Sequence, residues 1–363
     1  MGKYSCTNPN HHFWKGKKVL VTGHTGFKGS WLSLWLLKMN SKVTGISLDP
    51  QENNNLFDHL KIKNDLNHII CDIRDKDKLK KHIQEIKPDI LFHLAAQPLV
   101  VKSYKDPVNT WETNLMGTIN VLDSITSNKR NCIAIFITTD KVYKNNEWLY
   151  GYRENDELGG HDPYSSSKAA CEIAISSWRA SFSNETFKNK SLVSIASARA
   201  GNVIGGGDWA ENRIIPDVIR SLKNEEKILI RNPLSTRPWQ HVLEPLSGYL
   251  KLAEKLTNNN TLYSTAFNFG PDIESNRTVK ELVEESIKYW EGSYIVDTQS
   301  GKPHEAGILN LSIEKALKKI NWKPKWDFKK TVEMTINWYK NVYYKKESAL
   351  EASLSNLEDY LNH

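Results

Sequence analysis

The chain reads as an α/β protein: a doubly wound parallel sheet carrying a smaller α/β lobe on its C-terminal side. Three observations predict this. Short β-branched runs alternate with helical stretches through the first 200 residues. A glycine-rich turn follows the first of those runs, in VTGHTGFKGSWL (21–32). The alternation then breaks at a second glycine-rich loop, GNVIGGGDWAENR (201–213).

Each element follows from its own residues. KKVLVT (17–22), KVTGISL (42–48), HIICD (68–72), DILFHL (89–94), CIAIFITT (132–139) and LVSIASAR (192–199) read as strands. They are apolar almost throughout, the pattern of parallel strands covered on both faces. Helices fall between them at 26–40, 75–86, 107–128 and 164–184. Such repetition winds a Rossmann-type sheet, whose ligands bind beyond the carboxyl ends of the strands. Helices near 212–223, 243–256, 278–290 and 328–344, with short strands between, form a lobe closing over those ends. The expected organisation has four parts. Residues 1–12 are a flexible N-terminus, and 13–200 a dinucleotide-binding domain with some segments returning from the C-terminal part. Residues 201–345 are a substrate lobe, and 346–363 a helical tail with Leu350, Leu354, Leu357 and Leu361 at helical spacing. That tail packs on its own lobe, is loosely ordered, or serves an oligomer contact.

Composition narrows the function. At 363 residues, with 39% hydrophobic and 25% charged content, the chain can bury a sizeable core. It has no apolar run long enough for a membrane span, and WLSLWLLKM (31–39) reads as a buried helix. The N-terminus lacks a signal-peptide stretch. Cys6, Cys71, Cys132 and Cys171 lie far apart without a CxxC pair, against zinc and against a disulfide framework. A reduced, cytoplasmic setting and no metal are expected. The net charge of +7 comes from lysines interleaved with acids rather than from a basic block, so a small anionic ligand is favoured over nucleic acid.

The chemistry lies at the strand ends. Gly23, Gly26 and Gly29 follow the first strand at GxxGxxG spacing and open a helix, which lets a pyrophosphate approach backbone N–H groups. Lys28, inside that turn, adds a charge to the clamp or is simply solvated. Asp49 falls past the second strand, so NAD and NADP both stay open. Asp72 ends the third strand, meeting an adenine or capping a helix. The row ITTDKVY (137–143) sets Thr138, Thr139, Asp140 and Lys141 where the fifth strand leaves the core. In YSSSK (164–168), Tyr164 and Lys168 share one helix face, and an ammonium beside a phenol lowers its pKa. His93 reads as a core residue; Trp209 and Trp239 wall a base pocket or belong to the core.

With TGHTGFKG (22–29), HLAAQ (93–97), TTDK (138–141), YSSSK and RAGNVIGGGDW (199–209), the chain resembles the extended short-chain dehydrogenase/reductases. Within them it is similar to the nucleotide-sugar 4,6-dehydratases, over roughly residues 13–345. The longer strings GHTGFKGSWLSLWL and RNPLSTRPWQHVLEPLSGYL resemble those acting on CDP-glucose. The resemblance implies NAD held by Gly23, Thr25, Gly26, Phe27, Gly29, Asp72, Ile73, Leu94, Ala95 and Ala96, with Tyr164 and Lys168 at its reactive end. It implies a nucleotide sugar held by Gln97, Asn202, Arg213, Arg237 and His304, the last in KPHEA (302–306). Tyr164 would be the base on the C4 hydroxyl and Thr139 would bond the C4 oxygen. Asp140 would protonate the departing C6 hydroxyl, and Lys141 would take the C5 proton. Many dehydratases carry glutamate at that last position, and a lysine serves as a base only where desolvation or a neighbouring cation such as Lys168 displaces its proton. The alternative for Lys141 is a plain ion pair with Asp140. A homodimer is expected through helices 107–128 and 164–184. A UDP- or GDP-sugar dehydratase, a 4-epimerase and a dinucleotide-binding regulator are the competing readings; Asp140 and Lys141 speak against the epimerase.

Overall fold

The computed structural model describes residues 8–50, 54–128, 130–183, 193–211, 213–258, 260–297 and 309–363. Seven strands form one parallel sheet: β1 (Lys18–Thr22), β2 (Lys42–Ser47), β3 (Asn67–Ile70), β4 (Ile90–His93), β5 (Cys132–Thr139), β6 (Val193–Ala200) and β7 (Ala266–Phe269). Their spatial order is β7-β6-β5-β4-β1-β2-β3, so the order reverses between β1 and β4. That reversal opens a crevice at the carboxyl ends, where the glycine turn lies. The expected doubly wound sheet is present, and β5 occupies the residues its sequence predicts. The seventh strand was not among those read from sequence; it returns from beyond the substrate lobe to pair with β6.

Among the described residues the longer helices are α1 (Phe27–Lys38), α2 (Lys76–Ile86), α3 (Gly117–Thr126), α4 (Pro163–Phe182), α5 (Ile214–Lys223), α6 (Leu243–Asn258), α7 (Val279–Tyr289), α8 (Phe328–Tyr344) and α9 (Ala349–Asn362). Helix α4 starts where its sequence dictates. Asp162 accepts from Ser165 N at 3.0 Å, and Pro163 occupies the first turn, where its missing N–H is no loss. This places Tyr164 in the opening turn, beside the strand ends. The stretch expected as one helix over 107–128 is interrupted: a π-helical turn spans Glu112–Met116 ahead of α3.

Apolar clusters fill both faces of the sheet. Helix α1 is buried on nearly every side, including Trp31, Leu32, Trp35 and Leu36, as WLSLWLLKM predicts. Part of its cover is the C-terminal helix, with Trp35 and Tyr360 ring centroids 5.8 Å apart. Helix α9 is therefore packed against the nucleotide-binding half as well as α8. Tyr360 donates to Glu244 at 2.8 Å. Residues 8–12, read as part of a flexible lead, are tied down: Asn8 Nδ2 donates to the Leu361 carbonyl at 2.7 Å and Asn10 N to Glu254 at 2.6 Å. Among the described residues the smaller lobe holds three two-stranded pairs, including Thr236–Pro238 with Asn276–Thr278. Among the described residues no helix is long and apolar enough to cross a membrane.

Candidate active site

A cleft of about 1840 Å³ runs along the strand ends. All the residues expected to hold the cofactor line it, as do the expected catalytic groups and Gln97, Asn202, Arg213 and Arg237. His304 lies outside the described residues.

The glycine turn is built for a close approach. Gly23 has φ +76°, and a Cβ there would lie 2.7 Å from Ala95 N. A Cβ at Gly29 would lie 2.0 Å from the Gly23 carbonyl oxygen. Turn, helix and the end of β4 thus meet through bare backbone. Gly26 caps α1 without a side-chain bond, which leaves first-turn N–H groups facing the cleft for an anion. Thr25 Oγ1 is fixed 2.7 Å from Ser47 Oγ. A dinucleotide fits this cradle.

Asp72 neither caps α2, a task Asp75 performs, nor stands alone. Its carboxylate accepts from Arg74 N, Nε and Nη2 at 2.8, 2.9 and 2.6 Å. The Arg74 hydrogen bonds hold it below the usual carboxylate range. Gln97 lines the cleft, but its amide is committed: Nε2 donates to Leu99 O and Thr110 Oγ1, and Oε1 accepts from Leu99 N. Asn114, in the π-helical turn, completes this lock by accepting from Gln97 N at 2.8 Å and donating to Ser167 Oγ at 2.9 Å. The turn thus aims one amide at both the β4 loop and the Tyr164 helix.

At the catalytic floor, Thr139 Oγ1 donates to Asp140 Oδ1 at 2.8 Å. Lys141 Nζ lies 3.2 Å from that same oxygen and 3.1 Å from Asn202 Oδ1. The Asp140 side chain is 2% exposed and the Lys141 side chain 29%, so the ammonium end reaches the cleft while the carboxylate lies under it. Glycine at 201 is needed here, because a Cβ would sit 2.9 Å from Asp140 Oδ2. Lys168 Nζ donates to the Ile137 carbonyl at 3.3 Å. Its pKa is lowered by burial, against the charge of Glu172.

Tyr164 corrects one expectation. Its phenol is pushed up to about 12, first by burial and further by Asp140 and Asp162; a Thr139 hydrogen bond and the Arg213 charge oppose this. Burial outweighs the cationic help that the YxxxK pattern promised. Arg213, at the start of α5, is the cation set against the phenol, with its Nη1 2.9 Å from Asp208 Oδ2. Arg237 projects from Thr236–Pro238 and donates Nη1 to Thr236 O at 2.9 Å. Trp239 lines the cleft, whereas Trp209 packs edge-on to Tyr339 and Tyr343 in the core. His93 is a satisfied core residue between Thr22 and Thr118.

Sequence reading missed the support beneath this floor. Glu172 accepts from Thr138 Oγ1 at 2.5 Å, Ser197 Oγ at 2.8 Å and Arg199 Nη2 at 2.8 Å. Arg199 also donates to Tyr143 OH and to the Glu154 carbonyl. A signal existed, since Glu172 follows Lys168 by four residues and so continues the Tyr164 face.

A model of the GDP-mannose 4,6 dehydratase family matches residues 20–335. The CDP-glucose 4,6-dehydratase of Salmonella typhimurium is 45% identical over 97% of this chain and 98% of its own length. Among solved structures, a dTDP-glucose 4,6-dehydratase from Bacillus anthracis in complex with NAD superposes with TM-score 0.72 at 20% identity, covering 90% of this chain and 98% of that one. A UDP-glucose 4-epimerase from Thermus thermophilus, also in complex with NAD, gives TM-score 0.73 at 22% identity, covering 89% and 98%. The two structures share the fold, and the sequence matches carry the relationship further: the chain belongs to the GDP-mannose 4,6 dehydratase family, nucleotide-sugar dehydratases of the extended short-chain dehydrogenase/reductase fold.

Proposed function

We propose that this protein converts CDP-glucose to CDP-4-keto-6-deoxyglucose with NAD as its cofactor. The observation that carries the reading is the 45% identity over almost the full length of a CDP-glucose dehydratase. The floor of Thr139, Asp140, Lys141 and Tyr164 on one cleft agrees with it. NAD bound on the glycine turn would supply a hydride acceptor at C4 and a donor at C6.

The chain's own groups do the rest. For Tyr164 Oη to take the proton of the C4 hydroxyl, the positive charges of Lys168 and of bound NAD would have to offset the burial that raises its phenol; Thr139 Oγ1 orients that oxygen. Once C4 is a ketone, the C5 proton is acidic. Lys141 Nζ removes it, and Asp140 protonates the C6 hydroxyl, which departs as water. The observed ion pair makes this economical. Shifting one proton across the 3.2 Å contact from Nζ to Oδ1 turns ammonium and carboxylate into an amine and a carboxylic acid. One transfer therefore creates the C5 base and the C6 acid together. Arg213 and Arg237 offer planar donors for a diphosphate.

The working form we propose is a cytoplasmic homodimer. Val108 and Ile173 are 67% and 62% exposed, and Met116 and Phe182 are exposed as well; they lie on the helical stretches expected to pair, and light scattering reads the mass directly. For the activity, CDP-, UDP-, GDP- and dTDP-glucose are offered with NAD. A 4-keto product is expected first from CDP-glucose, with a C4 deuterium label recovered at C6 and no transfer in Tyr164→Phe. Loss of the label to solvent, or preference for another nucleotide, overturns the assignment.

A further inference from the structure

Four cations of the cleft form a group, with Lys141, Lys168 and Arg213 within electrostatic reach of Lys28, and three of them are partnered. Lys141 pairs with Asp140 and Asn202, Arg213 with Asp208, and Lys168 with the Ile137 carbonyl. The fourth is Lys28, second residue of α1. Among the described residues its ammonium makes no hydrogen bond or ion pair, though its side chain lines the cleft.

Phe27 is held against the 201–209 loop, where a Cβ on Gly205 would come 3.3 Å from Phe27 Cζ. Phe27 and Lys28 both line the cleft, Lys28 about 100° further round the helix. The charges that act on it are Arg213, Asp140, Lys168 and Lys141, from the substrate lobe, the end of β5 and α4. None of these belongs to the adenine side, where Ser47 and Asp72 lie. The single acid among them, Asp140, is already shared by Thr139 and Lys141. A partly buried ammonium among three other cations calls for a multivalent anion.

We infer that Lys28 receives the diphosphate of the bound nucleotide sugar alongside Arg213, and so sets where the hexose rests over Tyr164. This rests on the nucleotide-sugar reading above and adds a specificity-determining residue to it. The cofactor's pyrophosphate is the other source of the same chemistry, so the test separates the two.

Binding of CDP and of inorganic pyrophosphate to protein saturated with NAD is measured by calorimetry. NAD binding is measured separately. Lys28→Met is expected to weaken CDP and pyrophosphate by about tenfold to a hundredfold, the range of a lost charge-assisted contact. Lys28→Arg should restore both to within about threefold, with NAD affinity within about twofold throughout. Burial and the neighbouring cations push Lys28 down to about 8, with Asp140 opposing. Wild-type affinity for CDP should therefore fall as pH passes 8, a fall that Lys28→Met lacks. An equal or larger loss on NAD overturns the proposal and gives Lys28 to the cofactor. Unchanged binding of all three ligands overturns it too, leaving a solvated lysine. Because pyrophosphate carries no base, a loss on it supports Lys28 whichever nucleotide is preferred. Wild-type protein that ignores CDP but binds another nucleoside diphosphate instead counts against the CDP reading alone.

Discussion

Two acid–base pairs sit at neighbouring strand ends and serve opposite ends. Glu172 and Arg199 have side chains 2% and 5% exposed, and every carboxylate oxygen of Glu172 has a donor. Burial alone would raise the Glu172 carboxyl, but Arg199, Thr138 and Ser197 outweigh it and hold it below its ordinary value. Asp140 and Lys141 share a single contact, and the lysine end opens to the cleft. The first pair cannot release its proton without leaving buried charges unpaired. The second can, because lysine gives up a proton where arginine does not, and the Lys141 end is open to water or substrate. The difference teaches that satisfaction, more than burial, separates a structural ion pair from one available to chemistry.

The comparison can be broken most forcefully at Glu172. Glu172→Ala strands Arg199 and should cost roughly 3–5 kcal/mol of stability in a urea titration, while Asp140→Asn should cost less, because the Lys141 it leaves is part-exposed and keeps Asn202. Equal losses would erase the distinction. Next comes Lys141→Met, which should lower formation of the 4-keto-6-deoxy product by about 10²–10³-fold and abolish exchange of the C5 proton with heavy water, with a smaller stability loss than Glu172→Ala because Asp140 keeps its Thr139 hydrogen bond.

A third buried carboxylate sharpens the contrast. Glu244 is held by Lys325 N, Trp326 N and Tyr360 OH rather than by a guanidinium. Burial pushes its carboxyl up to about 7 from an ordinary value of 4.5. A raised carboxyl is protonated in the fold, so the stability it adds is full below pH ~4.5 and fades as pH climbs through about 7. Wild type should thus lose up to about 3 kcal/mol across that window relative to Glu244→Gln, read as diverging urea midpoints between pH 5 and pH 8. Parallel midpoints would show that Glu244 stays ionised.

Much of this was legible in the chain. Strands covered on both faces are largely apolar, so most of the sheet announced itself, and the half-exposed edge strand β3 still carried its Ile-Ile pair. The glycine turn and the row after β5 were visible because both break a strong local pattern. Tertiary partnership was not visible. Glu172 meets Thr138 and Arg199 only once β5 and β6 pair in register, Thr138 opposite Arg199, and α4 lies across them. The raised phenol of Tyr164 escaped for the same reason, since burial belongs to the assembled lobe and not to the YxxxK spacing. Gln97 was expected at the sugar, and nothing in the sequence around it showed that its side-chain amide would be tied to Leu99 and Thr110.

That turn carries a consequence for how the protein can be altered. One surplus residue between Glu112 and Met116 sets the phase of everything downstream on α3. Excising a residue would restore the usual 3.6-residue repeat and swing the Asn114 amide by about 100°, away from Gln97 and Ser167. Substitution can only trim this hinge of registers, whereas a shift of frame would uncouple the loop after β4 from the Tyr164 helix. Any chimera built from relatives should therefore exchange residues 97–118 as one cassette.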